Sequence, residues 1–374
     1  MGAFIHNALL NVAHWLGKRG HDSASARLYA VLAEYEHDDV RNAYLRYRAL
    51  LQEERLEEAL AHLEEAVAVS RGSAGMLHEH GVLLQRLQRH ADAVDAFDRA
   101  LTLDAAQSEC HSSRAFSLMQ LGRWAEAEAG LRRALRHDDR NRLAWHDLGM
   151  TLAQLERFDE AIQAFRSAID IAPDTATSVS LAFVLETFER FDEAETVLRD
   201  ALRIDPSNAL LVSTLAGVLV QQQRTADATR LLESADARAP EHPAIVGAMV
   251  WALLGSGQND DAVAAGERLV VIEPSAYAHS LLAWAYLQSG RLDAAAREVE
   301  HALGTARREA EPTIGRGDLD GIHAAVLSAN GDHAAALAAF ERLGEAGPGV
   351  FLRNPDLERY LSASRQALDS SGAS

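Results

Sequence analysis

The sequence predicts an all-α protein, a solenoid built from tandem helix-turn-helix hairpins. Three observations predict it. Trp145, Leu148, Gly149 and Leu152 lie at offsets 0, 3, 4 and 7, one face of a helix. Ala161, Phe165, Ala168 and Ile169 repeat that spacing in a second segment, and only Leu155 to Phe158 remain for a turn. A column of alanines, Ala59, Ala93, Ala127, Ala161, Ala194, Ala228, Ala262 and Ala295, then recurs at steps of 34, 34, 34, 33, 34, 34 and 33. A hairpin with two apolar faces cannot bury both alone, so copies at one period imply stacking on neighbours.

Each further column has a physical role. Four residues beyond the alanines runs a bulky column, Leu63, Phe97, Leu131, Phe165, Leu198 and Leu232, broken by Gly266 and resumed at Val299. The first helices carry small residues instead, at Gly81, Ala115, Gly149, Ala182, Ala216 and Ala283. Small positions let helices approach and bulky ones fill the space between them. Pro173, Pro206, Pro240 and Pro274 each follow their alanine by twelve residues and end the second helix, because proline has no amide to donate. Gly266 requires either a closer approach of the hairpins or a gap.

Trp145, Leu148, Gly149, Ala161, Phe165, Ala168 and Pro173 together resemble the tetratricopeptide repeat family. The resemblance covers nearly the whole chain, roughly ten repeats. It implies a right-handed superhelical α-solenoid whose first helices line a concave surface, and binding of proteins as the general function.

Residues 1–39 read as a degenerate capping repeat, with Phe4, Ile5, Leu9 and Leu16 in one helix, a break at Gly20, and Leu28 and Val31 in another. Terminal repeats meet water on one side and lose regularity; alternatively, Phe4 and Ile5 dock on a second copy. Residues 40–308 hold the regular array, with Glu54, Gln88, Gly122, Gly257 and Gly290 in its turns. The period then fails: Ala295 to Ala336 is a step of 41, with an insertion from Gly304 to Gly317 that contains Pro312. Residues 309–374 comprise the rest of this loop or helix extension, a last hairpin, and a helix opened by Pro355 whose Leu357, Tyr360 and Leu361 seal the open end. Residues 369–374 are expected to be disordered.

Composition bounds the function. The net charge of −19 repels nucleic acid, and no basic stripe with interleaved aromatics appears. Anionic membrane surfaces are disfavoured for the same reason. Lys18 is the only lysine, read as genomic composition bias. Cys110 is the only cysteine, so no intrachain disulfide is possible. The start of the chain is a poor secretory signal, since Lys18 follows the apolar run and His6, Asn7, Asn11 and His14 interrupt it. The expected location is the cytoplasm of a bacterium.

Catalytic signatures are absent: no phosphate-binding lysine loop, no nucleophile elbow, no Cys-x-x-Cys and no dinucleotide fingerprint. No cofactor and no metal are expected. On a helix His78 and His80 point about 200° apart and cannot share an ion. His78, Ser112 and His146 follow one another at steps of 34, which places the two histidines two repeats and about 20 Å apart, too far to share one ion. They serve either as peptide contacts or as solvated helix residues.

The concave surface that the resemblance implies supplies the candidate site. One column is Arg48, Val82, Phe116, Met150, Phe183, Gly217, Trp251 and Trp284; a second is Gln52, Arg86, Gln120, Gln154, Thr187, Gln221, Gly255 and Gln288. The first is an apolar strip, the second a row of amides that both donate and accept. Arg41, Arg48 and Arg86, with Tyr44 nearby, make the early end positive. Such a surface suits an extended segment with an acidic or carboxylate end. The plainer reading is that Trp251 and Trp284 pack beneath neighbours and the glutamines are ordinary exposed helix formers. The set of lysines and asparagines with which some family members grip a terminal carboxylate is missing. The function expected is a non-catalytic scaffold for a protein or peptide partner; the alternative is an assembly subunit that contacts partners, or itself, through its termini and convex face.

Overall fold

The computed structural model describes residues 3–36, 38–70, 72–308, 316–345 and 355–372. Among them are 21 helices and no strand. An N-terminal hairpin, α1 (Ala3–Lys18) and α2 (Asp22–Glu34), is followed by α3 (Asp39–Gln52) and α4 (Leu56–Ser70), α5 (Ala74–Arg86) and α6 (His90–Leu103), α7 (Ser108–Gln120) and α8 (Trp124–His137), and α9 (Arg142–Gln154) and α10 (Phe158–Ile171). Then come α11 (Thr175–Thr187) and α12 (Phe191–Ile204), α13 (Ala209–Gln221) and α14 (Thr225–Asp236), α15 (Pro243–Gly255) and α16 (Asn259–Ile272), and α17 (Ala276–Gln288) and α18 (Leu292–Ala306). The last hairpin is α19 (Arg316–Ala329) and α20 (His333–Glu345), and α21 (Pro355–Gly372) follows it. The chain divides into two compact units, Met1–Val184 and Leu185–Ser374, with the boundary inside α11.

Local chemistry explains where the helices begin and end. Asp38, Ser73, Asn141, Asn208 and Ser275 cap first helices, each side chain accepting an amide N–H three residues on. First helices close on a residue in the left-handed region, glycine at Gly122, Gly257, Gly290 and Gly331 but glutamate or glutamine at Glu54, Gln88, Glu156, Glu189 and Gln223. The residue after it starts the second helix and is nearly always arginine. Arg123, Arg157, Arg190 and Arg224 each reach the acid three residues on, Glu126, Glu160, Glu193 and Asp227, at 2.7, 2.8, 2.7 and 2.9 Å.

Packing inside the hairpins follows the two size columns. A methyl carbon built on Gly149 would lie 2.7 Å from two ring atoms of Phe165; one on Gly81 would lie 2.5 Å from Phe97. Glycine is required because the ring lies directly on the helix backbone. At the same two positions α7 and α8 carry Ala115 and Leu131, so a larger first residue is matched by a smaller second one. The eighth repeat inverts the scheme with Val250 and Gly266. Val250 is fully buried, and Leu282 of α17 comes so close that a methyl on Gly266 would lie 3.1 Å from its side chain and 3.3 Å from its Cα. Of the two expected outcomes at Gly266, the structure shows the close approach.

The second unit ends in a cap. Leu357 and Tyr360 of α21 join a core with Trp284, Leu319 and Ile322, and the buried Ser364 hydroxyl bonds to Ser328 at 2.8 Å. The tail expected to be disordered from residue 369 is helical through Gly372. The side chains of Phe4 and Ile5, and residues 309–315 with Pro312, lie outside what the structure describes.

Candidate functional site

In the first unit polar bridges tie the first helices α5 to α7 and α9 to α11. His78 Nε2 and Ser113 Oγ are 3.3 Å apart, Gln85 donates to the Ser113 carbonyl at 2.6 Å and to Ser117 Oγ at 2.8 Å, and His146 Nδ1 meets Thr177 Oγ1 at 3.0 Å. Arg142 pairs with Asp174 at 2.7 Å. These bridges hold the helices in register and carry between them the apolar strip of the sequence analysis. Phe116 is 41% exposed and Phe183 67%, and Met150 between them is half-buried. Gln120 and Gln154 are exposed. His90 stacks edge-on against Phe116, with ring centroids 6.2 Å apart.

Burial shapes the titration of this wall. Burial holds the imidazoles of His78 and His146 below the ordinary histidine value, so both are neutral at pH 7 and present hydrogen bonds rather than charge. Burial also pushes the Asp147 carboxyl up to about 6. The Cys110 thiol is driven up to about 12, first by burial and then by Asp98, which leaves it unreactive.

The early end is less positive than its arginines imply. Arg48 sits 3.8 Å from Glu79 and over the Tyr29 ring at 5.5 Å. The Tyr44 hydroxyl donates to the same carboxylate at 2.9 Å, and burial, then Glu79, push its phenol up to about 12. Tyr44 and Arg48 are therefore held in an internal network through Glu79. Arg86 is exposed with Glu54 at 3.9 Å, and Arg41 is exposed.

The second unit corrects the strip further. Trp284 is 2% exposed and packs edge-on against Tyr360 of α21, with centroids 6.5 Å apart. Trp251 is half-buried against the cores around Leu253 and Trp284. The plainer reading of Trp284 is the right one: a non-repeat helix covers the position that the repeat register leaves open. Gly217 and Gln221 are exposed.

Three features of the structure have no counterpart among the sequence expectations. Leu143 of α9 is largely exposed and extends the apolar surface. The arginines opening the second helices form a periodic column that spacing alone would have shown. In the second unit, the ligand atoms of His279, Glu298 and His301 lie within 4.8 Å of one another; the separation of 19 positions between His279 and Glu298 hides that cluster in the sequence.

Comparison with known proteins agrees with this architecture. Family models described as tetratricopeptide repeat match residues 44–108, 108–133, 219–284 and 276–301, and one described as cytochrome c-type biogenesis protein H TPR domain matches residues 124–244. No curated protein matches the chain. A tetratricopeptide repeat protein from Parabacteroides merdae ATCC 43184 is similar in structure at 14% identity, over 76% of this chain and 97% of that one, with a TM-score of 0.53. MamA from Desulfovibrio magneticus RS-1 aligns at 20% identity over 46% of this chain and 97% of its own, with a TM-score of 0.44. YrrB, described as a TPR protein with an unusual peptide-binding site, aligns at 17% identity over 48% and 94%, with a TM-score of 0.39. Among the described residues no helix is long and apolar enough to cross a membrane.

Proposed function

We propose, because the chain belongs to the tetratricopeptide repeat family, that it is a non-catalytic interaction scaffold and holds an extended segment of a partner protein on the first helices of its first unit. The observation that carries this reading is the exposure of Phe116 and Phe183 on helices whose register is fixed by polar bridges. Monomeric surfaces seldom leave aromatic residues lined up in water without a use. Phe116, Met150, Phe183 and Leu143 supply apolar contact, while Gln120 and Gln154 bond to the backbone of the extended segment. Exposed Arg41 and Arg86 favour an acidic end of that segment.

The polar pairs on this wall argue against catalysis. Thr177 Oγ1 donates to Asp174 at 2.6 Å, so it receives a hydrogen bond from His146 and is not activated by it. To test the scaffold reading, proteins captured from host lysate by the intact chain are identified and their affinity is measured for Phe116→Ala with Phe183→Ala, with helicity checked by circular dichroism. Each aromatic contact is worth about 1.5–3 kcal/mol when buried, so the folded double variant should bind at least about tenfold more weakly. Unchanged affinity in a folded double variant refutes the groove.

A second reading is assembly through the N-terminal hairpin, favoured by the exposure of Val12 and Trp15 on α1. Light scattering of the full chain and of Trp15→Ser decides it. An oligomer lost in the variant supports assembly, and a monomeric parent chain refutes it.

A further inference from the structure

The cluster of His279, Glu298 and His301 lies in the second unit. Glu298 and His301 stand one turn apart on α18, at i and i+3, and so share a face. His279 projects from α17 onto that same face. His279 Nδ1 is 2.7 Å from Glu298 Oε2, and His301 Nδ1 is 3.7 Å from the same oxygen. The two imidazole rings meet edge to face with centroids 5.4 Å apart. Two nitrogens therefore converge on one carboxylate oxygen from two helices.

We propose that these three side chains bind one divalent ion of the zinc class. The donor set is two imidazoles and a carboxylate, the nitrogen–oxygen combination that suits zinc, cobalt(II) and nickel(II) rather than calcium or magnesium, which take oxygen alone. Ligands about 2.0–2.2 Å from a tetrahedral ion lie roughly 3.4 Å from one another. The three donor atoms, all within 4.8 Å of each other, reach that spacing by small side-chain rotations, with no movement of the hairpin. The contact of His279 with Glu298 gives way to two bonds to the ion.

The surroundings favour a site that is both held and reachable. Ala295, Val299 and Ala302 bury the adjoining face of α18 against the core shared with Trp284, which fixes the helix that supplies two ligands. His279 and Glu298 are 14% and 18% exposed, whereas His301 is 62% exposed. The ion enters past His301, and its fourth position faces water. Bound there, it cross-links α17 to α18 and stabilises the folded state by mass action.

The test uses the full-length chain without a polyhistidine tag. Zinc binding is measured by calorimetry, cobalt(II) serves as an absorbing probe of coordination, and thermal unfolding is followed with and without zinc. The expected result is one tight equivalent of zinc, a cobalt(II) ligand-field band and a raised unfolding temperature. His301→Ala, at an exposed position, and Glu298→Gln should each weaken binding by tenfold or more and abolish the band, while His242→Ala, elsewhere on the surface, should change neither. Absence of stoichiometric binding to the parent chain overturns the proposal. So does zinc bound equally well by His301→Ala, which would place the ion on other histidines.

Discussion

Replacing Gly149 by alanine probes the size matching on which each hairpin rests. The new methyl carbon would lie 2.7 Å from Cδ1 and Cε1 of Phe165 and 2.9 Å from Cγ, against an ordinary carbon–carbon contact of about 3.5–4.0 Å. Phe165 is wholly buried, so the ring cannot swing into water. Overpacking of this kind costs about 1–3 kcal/mol, and alanine returns about 1 kcal/mol of helix propensity. The net loss expected for Gly149→Ala is therefore about 0–2 kcal/mol. Phe165→Leu alone leaves a void and costs about 1–2 kcal/mol. The pair Gly149→Ala with Phe165→Leu reproduces the Ala115 and Leu131 arrangement already present one repeat earlier. It should be more stable than the sum of the single changes by about 1 kcal/mol or more. Urea unfolding followed by circular dichroism gives the stabilities. Hydrogen exchange of α9 and α10 locates the effect, since a repeat array can open in parts. Additivity within about 0.3 kcal/mol, or stabilisation by Gly149→Ala alone, would refute the account of glycine as a seat for the ring.

Three further outcomes follow from the geometry. Burial raises the Asp147 carboxyl to about 6 from an ordinary 3.8; the folded state then holds a proton that the unfolded state has lost, so stability falls as pH rises from about 4 to 6 and is level above. Asp147→Asn should flatten that fall and gain up to about 3 kcal/mol at pH 7, read from urea midpoints at pH 4, 5, 6 and 7; an unchanged pH profile would discount the burial. Glu195 is buried among Arg199, Arg224 and Gln222, with Arg224 at 2.8 Å and Gln222 at 2.9 Å; burial pushes its carboxyl up, but the bonds from Gln222 and Arg224 hold it below the usual range. Because both arginines reach water, Glu195→Ala should cost about 1–2 kcal/mol, and a loss under 0.5 kcal/mol in thermal unfolding at pH 7 would show the cluster to be idle. Trp284→Ala should cost about 3–5 kcal/mol yet leave the affinity for a captured partner unchanged in protein that remains folded; weakened binding would return Trp284 to the partner surface.

Much of the fold is legible because the hairpin repeats itself. One ring on one glycine, as at Gly149 and Phe165, is weak information, but the same pairing of sizes at a fixed period is strong. The candidate site is legible only in part. Phe116, Met150 and Phe183 stand where the register places them, since their neighbours are themselves repeats. The ties of Arg48 and Tyr44 to Glu79, one repeat on, have no signature in any apolar column. His279 and Glu298 were missed because a ligand set formed across a turn has no periodic signature.

What the amino-acid order determined by itself is therefore whatever depends on local period: the helices, their turns, their caps and the faces they bury. Tertiary structure alone decided which of the open positions stay open. Trp251 and Trp284 occupy the same register position as Phe183, yet Trp284 is sealed and Phe183 is not. The difference comes from Tyr360 and Leu357 on α21, a helix outside the period. Its apolar face leaves water by packing with Trp284, Leu319 and Ile322.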